Sequence, residues 1–120
     1  MTLVFDGTVD LGRFLLDARF ECLPGETIAL VGADGSGKST TLNALAGLLR
    51  MSSGSLKMDG EVLDGSRGGS WIPPEARDVG VVFQDLLLCP HMSIRDNVAY
   101  GPRREGTPVA EARAIASEWL

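Results

Sequence analysis

Positive charge is scarce in this chain: 11 Lys and Arg stand against 16 Asp and Glu, for a net charge of −5. That balance argues against a broad nucleic-acid-binding surface, which needs a basic excess. Long apolar runs are missing as well. Nothing approaches the roughly 18 residues of a membrane-spanning helix. The start, Met1-Thr2-Leu3-Val4-Phe5-Asp6, has neither the basic opening nor the apolar core of a signal peptide. Only Cys22 and Cys89 carry thiols, and their spacing suits no metal, so two reduced, packed cysteines are expected. The one histidine, His91, reads as a satisfied loop residue rather than a catalyst. What remains is 120 residues, 44% of them hydrophobic, enough for a single domain with a buried core in a cytosolic setting.

Within that frame one segment carries chemistry. Gly32-Ala33-Asp34-Gly35-Ser36-Gly37-Lys38-Ser39-Thr40 fits G-x-x-x-x-G-K-[ST], the phosphate-cradling Walker A loop. The apolar, β-branched run Thr27–Val31 ahead of it predicts a buried strand, and Thr41 to Leu49 after it has apolar residues at helical spacing. Gly32, Gly35 and Gly37 lack a Cβ and can take positive φ, so the backbone can close around an anion. Successive N–H groups then form a nest, and a helix starting near Lys38 adds its N-terminal partial charge. Lys38 would reach the β- and γ-phosphates, and the Ser39 hydroxyl would ligate Mg²⁺.

The rest of the chain divides into a β-type beginning and a helical end. Leu3 to Phe5 and Phe14 to Cys22 read as strands, with a Pro24-Gly25 turn before the phosphate loop. Ser52-Ser53-Gly54 is expected to close the first helix, and Ser55 to Met58 to form a strand ending in an Asp59-Gly60 turn. Gly65 to Pro74 reads as an exposed loop anchored by Trp71-Ile72, and Asp78 to Gln84 as a second buried strand. Ser93, with Asp96 three residues on, signals a helix start, and Thr107-Pro108 is expected to do the same through a capping hydroxyl. Val109, Ala112, Ile115, Ala116, Trp119 and Leu120 then fall mostly on one face. That face is unfinished at Leu120, which predicts truncation.

Gly80-Val81-Val82-Phe83-Gln84-Asp85 and the following segment to Val98 resemble the Q-loop region of ABC-transporter ATP-binding subunits. Gly32 to Thr40 resembles the same family's Walker A, and Asn97-Val98-Ala99-Tyr100-Gly101 continues the match. The run Val82 to Gly101 looks most like importers of the molybdate and sulfate group. The resemblance implies an α/β fold: a P-loop NTPase core with an N-terminal antiparallel β subdomain, truncated before the Walker B strand, so that 1–120 is the N-terminal portion of one ATP-binding domain. It implies ATP and Mg²⁺ as ligands, held by Gly32, Ala33, Asp34, Gly35, Ser36, Gly37, Lys38, Ser39 and Thr40, with Gln84 helping Ser39 ligate the metal and positioning the attacking water. A neutral amide suits that task, offering its oxygen to a metal and its N–H groups to water. The implied partners are transmembrane permease subunits docking on the segment after Gln84, a second ATP-binding subunit, and indirectly a solute-binding protein. The implied place is the cytoplasmic face of the membrane. Leu86, Leu87, Leu88, Pro90 and Met92 suit a docking groove, although the same residues could be core.

Two departures qualify the resemblance. Where the family usually carries an adenine-stacking aromatic followed by glycine, this chain has Leu11-Gly12, with Phe14 the nearest ring. No LSGGQ-like signature occurs, and no run of four apolar residues leads into Asp-Glu; Phe14-Leu15-Leu16-Asp17 comes nearest. The expectation is a chain that binds nucleotide weakly and turns it over negligibly. Two alternatives stay open: a small P-loop kinase or GTPase, and a non-catalytic nucleotide-binding or interaction module. Against a GTPase, the only D-x-x-G is Asp34 to Gly37 and no N-K-x-D exists.

Overall fold

A computed structural model describes residues 1–120. The chain forms two compact units, Met1–Val81 and Val82–Leu120.

The first unit is built on an antiparallel sheet in the order β2-β1-β3-β4. Strand β1 (Leu3–Asp10) pairs with β2 (Leu15–Cys22) from Leu3↔Cys22 to Asp10↔Leu15. On its other side β1 pairs with β3 (Ser53–Met58), from Leu3↔Met58 to Thr8↔Ser53. The side-chain period of two puts Phe5, Gly7 and Val9 on one face, where Phe5 and Val9 are buried. Glycine is required at position 7, because a Cβ there would stand 2.1 Å from the Ser53 carbonyl oxygen. The expected hairpin is present. Asp59 (φ 49°) and Gly60 (φ 81°) form the two-residue turn into β4 (Glu61–Asp64).

Helix α1 (Lys38–Ala46) follows the phosphate loop and buries Thr41, Ala44 and Ala46. Ala44 joins Phe5, Val9, Leu16, Met51, Leu56 and Leu63 in one core. The helix stops earlier than its apolar spacing predicts. Gly47, at φ 83°, donates to the Ala44 carbonyl, and Leu48 donates to that of Asn43 at 2.8 Å. A left-handed glycine ends the helix before Leu48 and Leu49 can extend it, so the Ser52-Ser53-Gly54 stop is corrected to Gly47.

Both predicted buried strands are also corrected. Thr27–Val31 joins no ladder, and Ile28, Leu30 and Val31 are exposed. Asp78–Gln84 likewise has no strand, with Val82 88% exposed. Their composition is strand-like, but a strand needs a neighbour to take its N–H and C=O groups, and no segment of the chain pairs with either.

The loop after β4 is held at Trp71, which bridges Asp64 antiparallel and lies under two guanidinium groups, Arg50 at 5.5 Å and Arg77 at 5.9 Å. A 3-10 turn, Pro74–Ala76, then delivers Arg77 into the interior.

The second unit is a pair of helices behind an exposed turn. Helix α2 (Ile94–Arg104) begins as its signal predicts, the Asp96 N–H donating to Ser93 Oγ at 3.0 Å. Helix α3 (Val109–Trp119) does not follow its signal: Pro108 is the N-cap residue, with no side-chain cap bond, and the Thr107 N–H is spent on the Pro102 carbonyl. Ala99, Ala112 and Ala116 are fully buried where the helices meet, small residues that allow close approach. Trp119 and Leu120, expected on the packed face, are 80% and 67% exposed. No helix of the chain is long and apolar enough to cross a membrane.

Candidate functional site: the phosphate loop

Gly32 to Thr40 forms a loop closed at both ends. Ser36 N–H donates to the Ala33 carbonyl at 3.1 Å, turning the chain, and Gly35 (φ 79°) and Gly37 (φ 108°) take the left-handed conformation expected of them. Gly32 does not, and serves another purpose: a Cβ at that position would lie 2.7 Å from Ser36 Oγ. Gly37 is both left-handed and enclosed. Its missing Cβ would meet Leu16 Cδ1 at 2.8 Å and Phe14 Cζ at 3.2 Å, so β2 and the turn before it press directly on the loop.

At the start of α1 the backbone donors go unused within the chain. Thr41 N–H and its Oγ1 both bond the Gly37 carbonyl, at 2.9 and 2.8 Å, which starts the helix. No backbone or side-chain group of the chain accepts from the N–H groups of Gly37, Lys38, Ser39 or Thr40. Four such donors at the positive end of a helix have the chemistry that an anion would satisfy. Lys38 Nζ donates to the Gly32 carbonyl, so its side chain reaches back across the loop to its first residue.

The residues that carry these donors line a cleft of about 420 Å³. Asp34, Gly35, Gly37, Lys38, Ser39 and Thr40 line one side. Leu11, Arg13 and Phe14, from the turn joining β1 to β2, line the other. Arg13 was not singled out by any motif; it comes to the site because the turn does. The turn is fixed by a Leu11 N–H to Phe14 carbonyl bond at 2.9 Å and by Gly12 N–H donating to Asp10 Oδ1 at 2.8 Å.

The far end of α1 is fastened by Arg77. Its guanidinium donates to the carbonyls of Ile72 (2.7 Å), Ala44 (3.0 Å), Leu45 (3.2 Å) and Leu63 (3.1 Å). Burial pushes its pKa down from the ordinary arginine value, and the neighbouring Asp64 carboxylate partly opposes that. Asp64, itself fully buried, accepts from Met51 N–H at 2.8 Å. No sequence motif pointed to Arg77, because every group that accepts its hydrogen bonds is backbone.

Gln84 belongs to the second unit. It is exposed and opens a turn rather than ending a strand. Leu86 (φ 59°) and Leu87 (φ 50°) follow in the left-handed region, unusual for bulky residues, and Leu86, Leu87 and Leu88 are 62%, 66% and 67% exposed. They are surface residues in this chain, which removes the core reading for them. Next to them, Leu88, Cys89, Pro90, Met92, Ile94 and Val98 border a shallow groove of about 260 Å³. The Asn97 amide shapes its rim: Oδ1 accepts from Cys89 N–H, and Nδ2 donates to the carbonyls of Cys89, Met92 and Ser93.

A family model described as ABC transporter matches residues 15–120. The chain belongs to the ABC transporter family. Among its curated relatives is the molybdenum import ATP-binding protein ModC of Paramagnetospirillum magneticum, 49% identical over 92 residues, covering 77% of this chain and 25% of the relative. Another is the spermidine/putrescine import ATP-binding protein PotA of Methylococcus capsulatus, 43% identical over 106 residues, covering 88% of this chain and 26% of the relative. This ABC transporter chain therefore spans about a quarter of the length of the curated relatives it matches. Among solved structures it is similar to the dimeric, post-hydrolysis ATP-binding cassette MJ0796 bound to ADP and Pi. The TM-score is 0.68 at 22% identity, over 98% of this chain and 55% of that one. The fold is thus that of an α/β ATP-binding cassette, with the four-stranded antiparallel sheet as its β subdomain.

Proposed function

We propose that this ABC transporter chain is the nucleotide-holding, N-terminal portion of the ATP-binding domain of an importer, and that it binds ATP with Mg²⁺ in the Gly32–Thr40 loop. The observation that carries the reading is the set of unpartnered N–H groups from Gly37 to Thr40 at the start of α1, with Lys38 reaching across the loop. A polyphosphate supplies the acceptors those donors lack. The residues also fit a magnesium ion: Ser39 is exposed on the cleft wall, its hydroxyl uncommitted within the chain. Mg²⁺ favours such sparse protein ligation because it takes phosphate oxygens and water for the remainder. Bound there, the ion would neutralise phosphate charge.

In the whole protein, ATP hydrolysis would drive solute import, and the ModC relatives favour molybdate or a related oxyanion. The exposed leucines after Gln84 and the groove beside them suit docking of a permease helix, at the cytoplasmic face of the membrane. A second ATP-binding subunit would complete the catalytic site, and a solute-binding protein would act on the far side of the permease. The 120 residues by themselves bind nucleotide and hydrolyse it negligibly. Calorimetric titration with Mg-ATP tests the site: saturable binding is expected, and Lys38→Ala abolishes it. Binding unchanged in Lys38→Ala, or robust ATP turnover by the unaltered chain, would overturn the corresponding half of the proposal.

A further inference from the structure

We infer that Arg77 is a positioning residue of the nucleotide site: by clamping the C-terminal end of α1 it sets where the N–H groups at the other end of that helix stand, and polyphosphate affinity depends on the clamp. The inference rests on the nucleotide reading above and adds a residue that touches no ligand and acts from the far end of the helix.

Two features make α1 depend on an outside hold. Its packing is thin: the residues it buries, Thr41, Ala44 and Ala46, are all small, and Leu42 is exposed. Small side chains make few interlocking contacts, so the helix tilts more readily than one with a large buried face. Its sequence also leaves its dipole unanswered, with no acidic residue in the first turn and no basic one in the last. A helix favours an anion at its start and a cation at its end. Arg77 brings the cation from another segment, donating to the carbonyls of Ala44 and Leu45 in the last turn. Its remaining donors hold the carbonyls of Ile72 and Leu63, which ties α1 to β4. The seat is made for it. A Cβ on Gly47 would stand 2.9 Å from Arg77 Cζ and 3.0 Å from its Nε, so the glycine that ends α1 also makes room for the guanidinium. At about 1.5 Å of rise per residue, a tilt of roughly 5° about the clamp moves the first residue of α1 by about 1 Å, enough to spoil a set of aligned hydrogen bonds.

The test is a calorimetric titration of Mg-ATP and Mg-tripolyphosphate against the unaltered chain, Arg77→Met, Arg77→Lys, Gly47→Ala and Phe5→Leu, at a temperature where circular dichroism shows each chain folded. Phe5, fully buried in β1 and stacked on Phe20, is the control for lost stability alone. While a chain is essentially all folded, its stability does not enter the apparent affinity, which depends only on the competent fraction. Arg77→Met is expected to weaken both ligands about tenfold at unchanged stoichiometry, with Arg77→Lys between it and the unaltered chain. Gly47→Ala keeps the buried charge but crowds the guanidinium; it should weaken both ligands as well, and it carries the test if Arg77→Met does not fold. Phe5→Leu should bind within about twofold of the unaltered chain. Unchanged affinity in either folded clamp variant would overturn the inference. So would an equal loss in Phe5→Leu, or a loss of ATP binding with tripolyphosphate unaffected. In each of those outcomes the unaltered chain still binds Mg-ATP. If it binds neither ligand, the nucleotide reading itself fails, and this inference fails with it.

Discussion

Asn97 grips Cys89 from both sides: its Oδ1 accepts from the Cys89 N–H at 2.8 Å, and its Nδ2 donates to the Cys89 carbonyl at 3.1 Å. The same amide group also donates to the carbonyls of Met92 (3.2 Å) and Ser93 (2.9 Å). One side chain thus fixes the loop that leads into α2. Asn97→Ala leaves the partly buried Cys89 N–H without an acceptor and should cost about 1–3 kcal/mol. Asn97→Asp retains the acceptor but turns a carboxylate toward three carbonyls, so it should be no milder. Urea unfolding gives the cost, and faster amide exchange at Cys89 than at Ala99 shows that the loss is local.

A second side chain acts on backbone at greater sequence distance. Arg77 holds carbonyls from α1, from β4 and from Ile72. Replacing it with Met strands those acceptors and leaves the buried Asp64 without its nearby positive charge. A loss of about 3 kcal/mol or more is expected. Arg77→Lys should recover only part of it, because three donors on one nitrogen cannot reach four carbonyls spread over three segments. Thermal unfolding of the two variants checks the order, Met below Lys below the unaltered chain.

Legibility follows the range over which each signal acts. The left-handed glycines ahead of α1, the Asp59-Gly60 hairpin and the Ser93 cap were readable because each needs only a few adjacent residues of the right type. Thr27–Val31 and Asp78–Gln84 have the right residues for strands, yet a ladder is a property of two segments, and the composition of one cannot supply the other. Gly47 was masked by Leu48 and Leu49, which continue the apolar spacing past a residue whose φ of 83° ends the helix. Arg77 and Asn97 left no trace because their partners are mostly main-chain carbonyls, which look alike at every position. Arg13 escaped for a related reason: the pairing of β1 with β2, rather than any motif, carries it to the cleft.

The second unit should lose stability in acid through one ion pair. Asp96 Oδ1 and Oδ2 accept from Arg113 Nε (2.8 Å) and Nη2 (3.3 Å), joining α2 to α3. The Arg113 hydrogen bond, followed by that from Ser93 and the charges of Arg113 and Arg95, outweighs desolvation and holds the Asp96 carboxyl below its ordinary range. A depressed folded-state pKa contributes stability above the unfolded value, and the contribution fades as pH falls through the folded one. Melting temperatures between pH 7 and pH 2 should therefore keep falling below the ordinary carboxylate range, and Asp96→Asn should flatten that limb. An identical acid limb in the variant would assign the effect to other groups.

Two glycines of the phosphate loop separate backbone strain from collision. Gly35 (φ 79°) and Gly37 (φ 108°) are both left-handed, but a Cβ at Gly35 would meet nothing within 4 Å, whereas one at Gly37 would strike Leu16 and Phe14. Gly35→Ala carries the conformational cost alone, about 1–2 kcal/mol. Gly37→Ala adds the displacement of a buried core leucine, which raises the expected loss to about 2–5 kcal/mol. Relief can come only by moving the start of α1, since Leu16 is held in the sheet and packed in the core. That movement would disperse the N–H groups of Gly37 to Thr40, so Gly37→Ala should lose Mg-ATP binding even at temperatures where it remains folded. Denaturant midpoints give the difference in stability, and titration of the folded variant gives the binding. A Gly37→Ala chain as stable as Gly35→Ala and still binding nucleotide would show that Leu16 and Phe14 yield, and that the loop does not depend on their support.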